Sequence, residues 1–238
     1  MEDIHQPRFV RGLFDRMART YGTLNYLSSF GFTERWRRRC VDAIPWQNLA
    51  ADARVYDLMS GMGECFNLVW RHGSRPLCGL DISPVMTGRA RRKHATAMGD
   101  TLELLQENVL SNSIPDGAAA AVVSAFGLKH FSPVQARMLA AEVGRILKPG
   151  GAFSFVEVAV PQRRLLRVPF LFYLRRVVPL LGRYFANDDD SYRYLGVYTV
   201  AFGNGRAFAR ALRRVGLDVA YREYFFGCAC GVVGRKPG

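Results

Sequence analysis

The sequence predicts an α/β fold with a doubly wound, mostly parallel sheet, and three observations lead to this prediction. Short apolar runs alternate with helical segments from residue 54 to residue 157, which is the pattern of strand–helix–strand units. The length of 238 residues suits one domain over 1–238 with one hydrophobic core. The apolar fraction of 49% and the charged fraction of 22% are those of a globular protein, which excludes a disordered chain.

The strands of the alternating part are short and apolar. We predict them at residues 54–59, 76–80, 101–105, 119–125 and 152–157. Serine followed by proline marks two helix starts, at Ser83 and Ser132, because serine caps a helix and proline fits its first turn. Further helices are predicted at 64–71 and 204–215, and an antiparallel strand pair at 218–224 and 227–233 closes the sheet.

Two segments lie outside this alternation. Residues 1–45 have apolar residues at helical spacing and are predicted to form an N-terminal helical cap that ends at Pro45. Residues 158–200 are predicted to form an inserted lid, which carries six arginines and no lysine or acidic residue between 158 and 187. Basic side chains beside an apolar face suit a membrane surface, so a peripheral membrane contact through the lid is expected.

The net charge of +13 attracts anionic partners, which are nucleic acid, anionic lipid or acidic small molecules. The basic clusters, such as Arg35 with the arginines at 37–39, are interpreted as solvated helix faces. Nucleic-acid binding usually needs aromatic stacking platforms, which the sequence does not offer, so no nucleic-acid partner is expected. Five cysteines without disulfide spacing and a start without a signal-peptide pattern predict a cytoplasmic protein. The histidines lack metal-like spacing, so no metal is expected.

A glycine loop follows the first strand. Gly61 and Gly63 have no side chains, so the backbone there can approach a ligand closely. Asp81 ends the second strand, and its carboxylate can accept hydrogen bonds from both hydroxyls of a ribose. Because both features lie at the carboxyl ends of neighbouring parallel strands, they predict a site for a nucleoside-containing cofactor.

Two cofactor classes fit these motifs, a dinucleotide and S-adenosylmethionine (SAM). The dinucleotide motif needs a third glycine at position 66, which packs the following helix closely and admits a pyrophosphate. The chain has Phe66 there, and a bulky residue argues against a dinucleotide. SAM carries no phosphate, so its loop can be less open.

Several sequence blocks resemble those of the ubiquinone/menaquinone C-methyltransferase family, from about Phe14 to Arg235. They are FD…Y…NYLSSFG…WR from Phe14, GLDIS from Gly79, QENV from Gln106, SAFGLKH from Ser124, LKPGG from Leu147 and DSYRYL from Asp190. The last block is the most specific, because SAM-dependent enzymes in general lack it. The resemblance implies a Rossmann-like class I methyltransferase fold with seven strands. It also implies SAM as cofactor and methyl transfer to carbon or oxygen of a hydrophobic quinol, phenol or natural-product intermediate.

The resemblance also implies which residues contact SAM. They are Tyr21, Asp57, Met59, Ser60, Gly61, Met62, Gly63, Asp81, Ile82, Met86, Asn108, Val109 and Ser124. In this interpretation Asp81 holds the ribose, Asn108 bonds the adenine edge, and backbone groups of the loop hold the methionine end.

The reacting pocket departs from the family pattern, because Lys129 and His130 stand where the family has Arg-Asn. Deprotonation of a phenol makes its oxygen or a neighbouring ring carbon nucleophilic, which calls for a base that titrates near neutral pH. His130 is therefore the predicted base, with Lys129 to steady a phenolate and Tyr192 to line the pocket. The altered pair leaves open an enzyme that closes a ring, such as a cyclopropane, on a SAM-derived group. A non-catalytic SAM-fold binding module and a homodimer also remain open.

Overall fold

The computed structural model describes residues 3–18, 29–186 and 189–238. Its strands are β1 (Val55–Leu58), β2 (Leu77–Leu80), β3 (Leu102–Leu105), β4 (Ala119–Ala125), β5 (Leu147–Val158), β6 (Asp218–Tyr224) and β7 (Ala229–Arg235). They form one seven-stranded sheet in the order β3-β2-β1-β4-β5-β7-β6. The first five strands pair in parallel, and β7 pairs antiparallel with both β5 and β6. The predicted fold class, including the closing antiparallel pair, is confirmed.

Among the residues that the structure describes, two helices precede the sheet, and helices connect β1 to β2, β2 to β3, β4 to β5 and β5 to β6. The helices are α1 (Pro7–Met17), α2 (Phe32–Val41), α3 (Phe66–Trp70), α4 (Pro84–Met98), α5 (Pro133–Ile146), α6 (Arg164–Phe172), α7 (Val178–Ala186), α8 (Asp189–Phe202) and α9 (Arg206–Arg214). A π-helical turn, Tyr173–Val177, joins α6 to α7. No helix in the described ranges is long and apolar enough to span a bilayer.

Alternate residues of the strands pack on opposite faces of the sheet. Tyr56 and Leu58 belong to a core cluster with residues of α5 and α9. Val55 belongs to a second cluster with residues of α2, α3 and α4. Since side chains alternate along a strand, one short strand supplies both cores, which explains why β1 is buried on both faces.

Both predicted serine caps are formed. The Ser83 hydroxyl accepts the Met86 N–H at 3.0 Å at the start of α4. The Ser132 hydroxyl accepts the Gln135 N–H, and the Gln135 side chain accepts the Ser132 N–H at 2.9 Å, which is a complete capping box. Each cap satisfies backbone donors that the first helical turn leaves unpaired.

Two strand starts differ from the prediction by more than one residue. β5 begins at Leu147 rather than at residue 152, because Leu147 pairs with Ala119 of β4. The Gly150 N–H also donates to the Lys236 carbonyl at 2.9 Å, so the predicted turn is part of the ladder. β7 begins at Ala229, because the chain first makes a short turn at Phe225–Gly227.

The N-terminal helices and the lid are joined by their own apolar contacts. Leu13 and Met17 of α1 pack with Val178 of α7 and with Tyr192 and Tyr198 of α8. In a separate cluster, the Trp36 and Cys40 side chains of α2 pack against the ends of β4 and β5. These contacts hold α1 and α2 over the carboxyl ends of the parallel strands.

Candidate functional site

A cleft lies at the carboxyl ends of β1, β2 and β4, with α1 forming one wall, and the empty space in it and at its open mouth is about 880 Å³. The sheet order reverses between β1 and β4, and open α/β sheets bind ligands at such a point. Nine of the sequence-predicted residues line the cleft, namely Met59, Ser60, Gly61, Asp81, Ile82, Met86, Asn108, Val109 and His130.

Two cleft residues have backbone conformations that only glycine adopts freely. Met59 ends β1 with φ of 57°, and Phe126 follows β4 with φ of 68°. Met59 lies against Gly127, the residue after Phe126, where an added Cβ would be 2.7 Å from the Met59 Cβ. A residue other than glycine keeps such a strained backbone only where the surrounding structure imposes it. Here the strained residues turn the chain out of the sheet after β1 and after β4.

Asp81 is held by backbone donors on both carboxylate oxygens. Oδ2 accepts the Gly61 N–H and Oδ1 accepts the Ser83 N–H, each at 2.8 Å. Burial raises the pKa of the Asp81 carboxyl to about 6, and the negative charge of Glu64 acts in the same direction. Each oxygen keeps a lone pair for another donor, so the carboxylate can still accept the hydroxyls of a ribose.

The floor of the site carries several carboxyl groups close together. Asp57 is buried beneath the loop, and neither of its oxygens has a hydrogen-bond partner among the described atoms. Burial, together with the charges of Glu64 and Asp81, holds the pKa of the Asp57 carboxyl well above its ordinary value. Such a site favours a cationic ligand, because a positive charge offsets the repulsion among carboxylates. A nucleoside that carries a positively charged sulfonium and an ammonium group fits this cluster of carboxyl groups.

Phe66 explains how the glycine loop packs without the third glycine of a dinucleotide site. Its ring is fully buried. It lies between Gly63 and Gly79, where an added Cβ at either position would come within 2.4 Å of a ring carbon. The two glycines therefore make room for the Phe66 ring. The ring occupies the space in which a glycine at position 66 would let the helix and the strand pack closely.

His130 stands in the wall of the cleft, at the end of the turn Leu128–His130. It is buried, and neither ring nitrogen has a hydrogen-bond partner in the described part of the chain. Its ring meets those of Phe14 and Tyr198 edge-on, with centroid distances of 4.9 Å and 4.5 Å. Burial, assisted by the charge of Lys129, holds the pKa of His130 well below its ordinary value. The imidazole is therefore neutral, so one of its nitrogens can accept a hydrogen bond, but the low pKa makes it a weaker base than an exposed histidine and departs from the predicted titration near neutral pH.

The other two predicted catalytic residues lie away from the cleft lining. The Lys129 ammonium donates to Glu157 Oε1 at 2.9 Å, and both side chains are buried. Tyr192 packs inside the cluster that joins α1 to α8. Neither side chain is among the residues that line the cleft, and their catalytic roles stay predictions.

The remaining predicted cofactor residues support the cleft from behind or fall outside the structure. The Ser124 hydroxyl donates to the Leu58 carbonyl at 2.6 Å, which ties β4 to β1. Met62 and Gly63 belong to the loop but are not among the lining residues. Tyr21 lies outside the described residues.

Several lining residues were not predicted from the sequence, notably Phe14, Arg37, Glu64, Glu107, Phe131 and Gln135. Arg37 had been interpreted as part of a solvated helix face, and this was wrong for that one arginine. It is 8% exposed and lies over the Phe126 ring, whereas Arg35, Arg38 and Arg39 are exposed. Thr33 and Val41, four residues before and after Arg37, are both buried, and this stripe was the available signal.

Among the residues that the structure describes, no group of three or more His, Cys, Asp or Glu is placed to hold a metal ion. All five cysteines are buried free thiols. Burial raises the pKa of the Cys40 thiol to about 12, so this thiol is protonated at neutral pH.

The known proteins that this chain resembles in sequence are methyltransferases. The model of the ubiE/COQ5 methyltransferase family matches residues 1–236. Demethylmenaquinone methyltransferase of Thermus thermophilus is 34% identical over 94% of this chain and 100% of its own length. The ubiquinone/menaquinone biosynthesis C-methyltransferase UbiE of Geobacter sulfurreducens is 32% identical over 95% of this chain and 88% of its own length.

Solved structures share the fold at low sequence identity. A chain of the complex between the Haloferax volcanii Trm112 methyltransferase activator and a methyltransferase has a TM-score of 0.66 at 17% identity, covering 94% of this chain and 98% of that one. Geranyl diphosphate C-methyltransferase from Streptomyces coelicolor has a TM-score of 0.61 at 14% identity, covering 84% and 77%.

The cleft at the strand ends, the Asp81 carboxylate after β2 and the family match over nearly the whole chain support the same conclusion. The protein is a SAM-dependent methyltransferase with a class I fold, and it belongs to the ubiE/COQ5 methyltransferase family.

Proposed function

We propose that the protein transfers the methyl group of SAM to a ring carbon of a hydrophobic quinol of the demethylmenaquinol type. The names of its relatives, demethylmenaquinone methyltransferase and ubiquinone/menaquinone biosynthesis C-methyltransferase, support this acceptor class. The observation that carries the proposal is the His130 imidazole in the cleft wall, whose two ring nitrogens have no hydrogen-bond partner among the described residues.

The cofactor end of the cleft is built from Asp81 and the glycine loop. Asp81 accepts the ribose hydroxyls, while the Gly61 and Ser83 N–H groups keep its carboxylate in place. SAM supplies an electrophilic methyl group on a positively charged sulfur. The carboxyl groups of Asp57 and Glu64 favour that positive charge near the loop.

The acceptor end of the cleft is apolar. Val10 and Phe14 of α1 and Phe131 after the His130 turn line it. An aromatic acceptor ring buries its faces against these side chains, and the surrounding apolar wall keeps water away from the reacting atoms. His130 is a polar group in this wall, beside His5 and Gln135, and a hydroxyl of the acceptor is expected to point towards it.

His130 then acts as the base. It accepts the proton of a quinol hydroxyl, which raises the electron density on the neighbouring ring carbon. A carbon–carbon bond forms between that carbon and the methyl group while the sulfur–carbon bond breaks. Loss of the proton from the methylated ring carbon, and return of a proton to the oxygen, restore the quinol. The protein contributes mainly by holding donor and acceptor in line.

The test is the product formed from SAM with a deuterated methyl group and a short-chain demethylmenaquinol kept reduced. We expect one labelled methyl group, which NMR places on a ring carbon. A methyl group on oxygen contradicts transfer to carbon, and a product that contains a new ring instead of a methyl group supports the ring-closing alternative. The oxidised quinone is the matched control, since without a hydroxyl proton to lose it is expected to stay unmethylated.

A further inference from the structure

We propose that one exposed side of the lid docks the protein on an anionic lipid bilayer. This side, called the lid face below, consists of exposed apolar and basic residues of α6, the π-helical turn and α7. They are Arg164, Leu165, Arg167, Val168, Phe172, Arg175, Arg176, Leu180 and Arg183. The inference concerns where the protein binds, and it does not depend on which acceptor it methylates.

The apolar part of the lid face is large and regularly placed. Leu165, Val168 and Phe172 are 87%, 68% and 63% exposed. Their spacing of three and four residues puts them on one side of α6. Single exposed apolar residues are common on proteins, but an exposed row of this size on one helix marks an interaction site.

The opposite side of the lid holds it on the protein. Leu174, Val178 and Leu181 pack against the cluster that contains Leu13 and Tyr198. Because this side is committed to the fold, the lid face is presented outwards by a packed element. The lid need not unfold or move for the lid face to meet a surface.

The charge of the lid indicates an anionic partner. Six arginines lie between 158 and 187 with no lysine or acidic residue, and all six are exposed. Beside an apolar row, guanidinium groups can bond headgroup phosphates while the apolar side chains enter the boundary of the acyl region. A second copy of the chain fits less well, because a twofold contact would bring two such sets of arginines together. Three of the four apolar residues of the lid face are leucine or valine, which offer no stacking platform for nucleic-acid bases.

A neighbouring turn extends the apolar surface. Phe225 and Phe226 are 50% and 70% exposed, and both have positive φ, of 45° and 56°. The next residue, Gly227, lies against Pro161 just before α6, where an added Cβ would be 3.5 Å from the Pro161 Cα. Two adjacent aromatic residues held outwards by strained backbone, next to a basic lid, are suited to the interface of a bilayer.

The experiment is co-sedimentation of the full chain with vesicles of phosphatidylcholine alone, or containing about one third phosphatidylglycerol. We expect binding to the anionic vesicles to be about tenfold stronger or more, and to weaken as salt is raised. The double variants Arg164→Glu/Arg167→Glu and Leu165→Ser/Phe172→Ser are each expected to weaken it about tenfold or more.

Matched controls remove the same groups from other surfaces. Arg91→Glu/Arg92→Glu on α4 reverses two exposed arginines, and Val134→Ser/Met138→Ser on α5 removes two exposed apolar side chains. Both controls are expected to bind anionic vesicles like the unaltered protein. Every variant is expected to bind S-adenosylhomocysteine normally, which separates this test from that of the proposed function.

Four results would overturn the proposal. The first is equal binding to both kinds of vesicle. The second is a loss of binding in the control variants as large as that in the lid variants. The third is a change from dimer to monomer in the lid variants without any effect on vesicles. The last is retention on duplex DNA that does not need Leu165 and Phe172.

Discussion

The Lys129 ammonium lies 2.9 Å from one carboxylate oxygen of Glu157, and the other oxygen accepts the Lys129 backbone N–H at 3.0 Å. One buried glutamate on β5 thus holds both the side chain and the backbone of Lys129. This double contact fixes the turn Leu128–His130 and directs His130 into the cleft. Lys129 is therefore a positioning residue for His130.

The first prediction concerns this ion pair. Lys129→Met leaves the Glu157 charge buried without its counter-ion, and we expect the free energy of unfolding to fall by about 3–5 kcal/mol. Urea denaturation followed by circular dichroism measures the change. The double variant Lys129→Met/Glu157→Gln keeps an oxygen for the backbone N–H but has no buried charge. Its loss is expected to be smaller than the sum of the two single losses by about 1 kcal/mol or more, and strict additivity would contradict the coupling.

The second prediction concerns the ribose contact. Asp81→Asn keeps the shape of the side chain but removes the charge that strengthens its hydrogen bonds. We expect the dissociation constant for S-adenosylhomocysteine to rise about 100-fold, as measured by calorimetry. Asp100→Asn, at an exposed acid outside the cleft, is the control and should leave the constant unchanged. Normal affinity in Asp81→Asn would remove the assigned role of Asp81.

The third prediction concerns pH. Because burial raises the pKa of Asp81 to about 6, the folded protein holds this proton to a higher pH than an unfolded chain does. Protonated Asp81 thus stabilises the unliganded fold at low pH, and this contribution is lost as the pH rises through about 6. The ribose hydroxyls select the carboxylate, so ligand affinity changes in the opposite direction. We expect it to be constant above neutral pH and to fall about tenfold per pH unit below about 6.

Glu64→Gln tests the cause of this profile. The charge of Glu64 raises the pKa of Asp81, so its removal should move the midpoint of the affinity profile to lower pH. A midpoint that stays in place would mean that another carboxyl group of the site controls the titration.

The sequence predicted the central sheet well because its signals there are local. The apolar run 119–125 and the alternating segment 218–224 match the bounds of β4 and β6, and both serine caps formed where the Ser-Pro pairs stand. The departures arise from contacts between distant segments. Gly150 joined β5 because the distant Lys236 carbonyl accepts its N–H. The left-handed backbone of Phe225 and Phe226 has no sequence signal, since neither is glycine, asparagine or aspartate.

The sequence predicted the parts of the site that local motifs mark and missed the parts that depend on distant contacts. Motif residues on strand ends, such as Asp81 and Asn108, line the cleft because parallel strands bring their carboxyl ends to one edge. Lys129 directly precedes His130 in the chain, yet the two side chains point to different surroundings. Glu157 on β5 makes this difference because it binds the Lys129 side chain. The two residues are 28 positions apart, so their pairing leaves no local pattern in the sequence.

The fourth prediction separates the two loop glycines. Gly61 and Gly63 both have positive φ, so alanine is strained at either position. At Gly63 the added Cβ would also lie 2.4 Å from the buried Phe66 ring, whereas at Gly61 it meets only the Glu64 carboxylate, at 3.3 Å. Gly63→Ala should therefore lower the melting temperature more than Gly61→Ala does. Gly61→Ala should weaken S-adenosylhomocysteine binding more, because Gly61 lines the cleft and holds Asp81. The reverse order in either measurement would contradict this division.

The last prediction concerns His130. In His130→Gln the side chain keeps polar atoms but cannot accept the hydroxyl proton, so we expect turnover to fall about 100-fold or more. Affinity for S-adenosylhomocysteine should stay within about twofold, because the cofactor contacts lie on the loop and Asp81. The matched control is Tyr198→Phe, which keeps the ring against His130 and removes only a hydroxyl that bonds the Ile4 carbonyl. Measuring kcat against pH adds a readout that misfolding would not mimic. If His130 is the base, the loss in His130→Gln should shrink as rising pH ionises the quinol in solution, since a quinolate needs no base. A constant loss at every pH, together with intact cofactor affinity, would place His130 in acceptor binding instead.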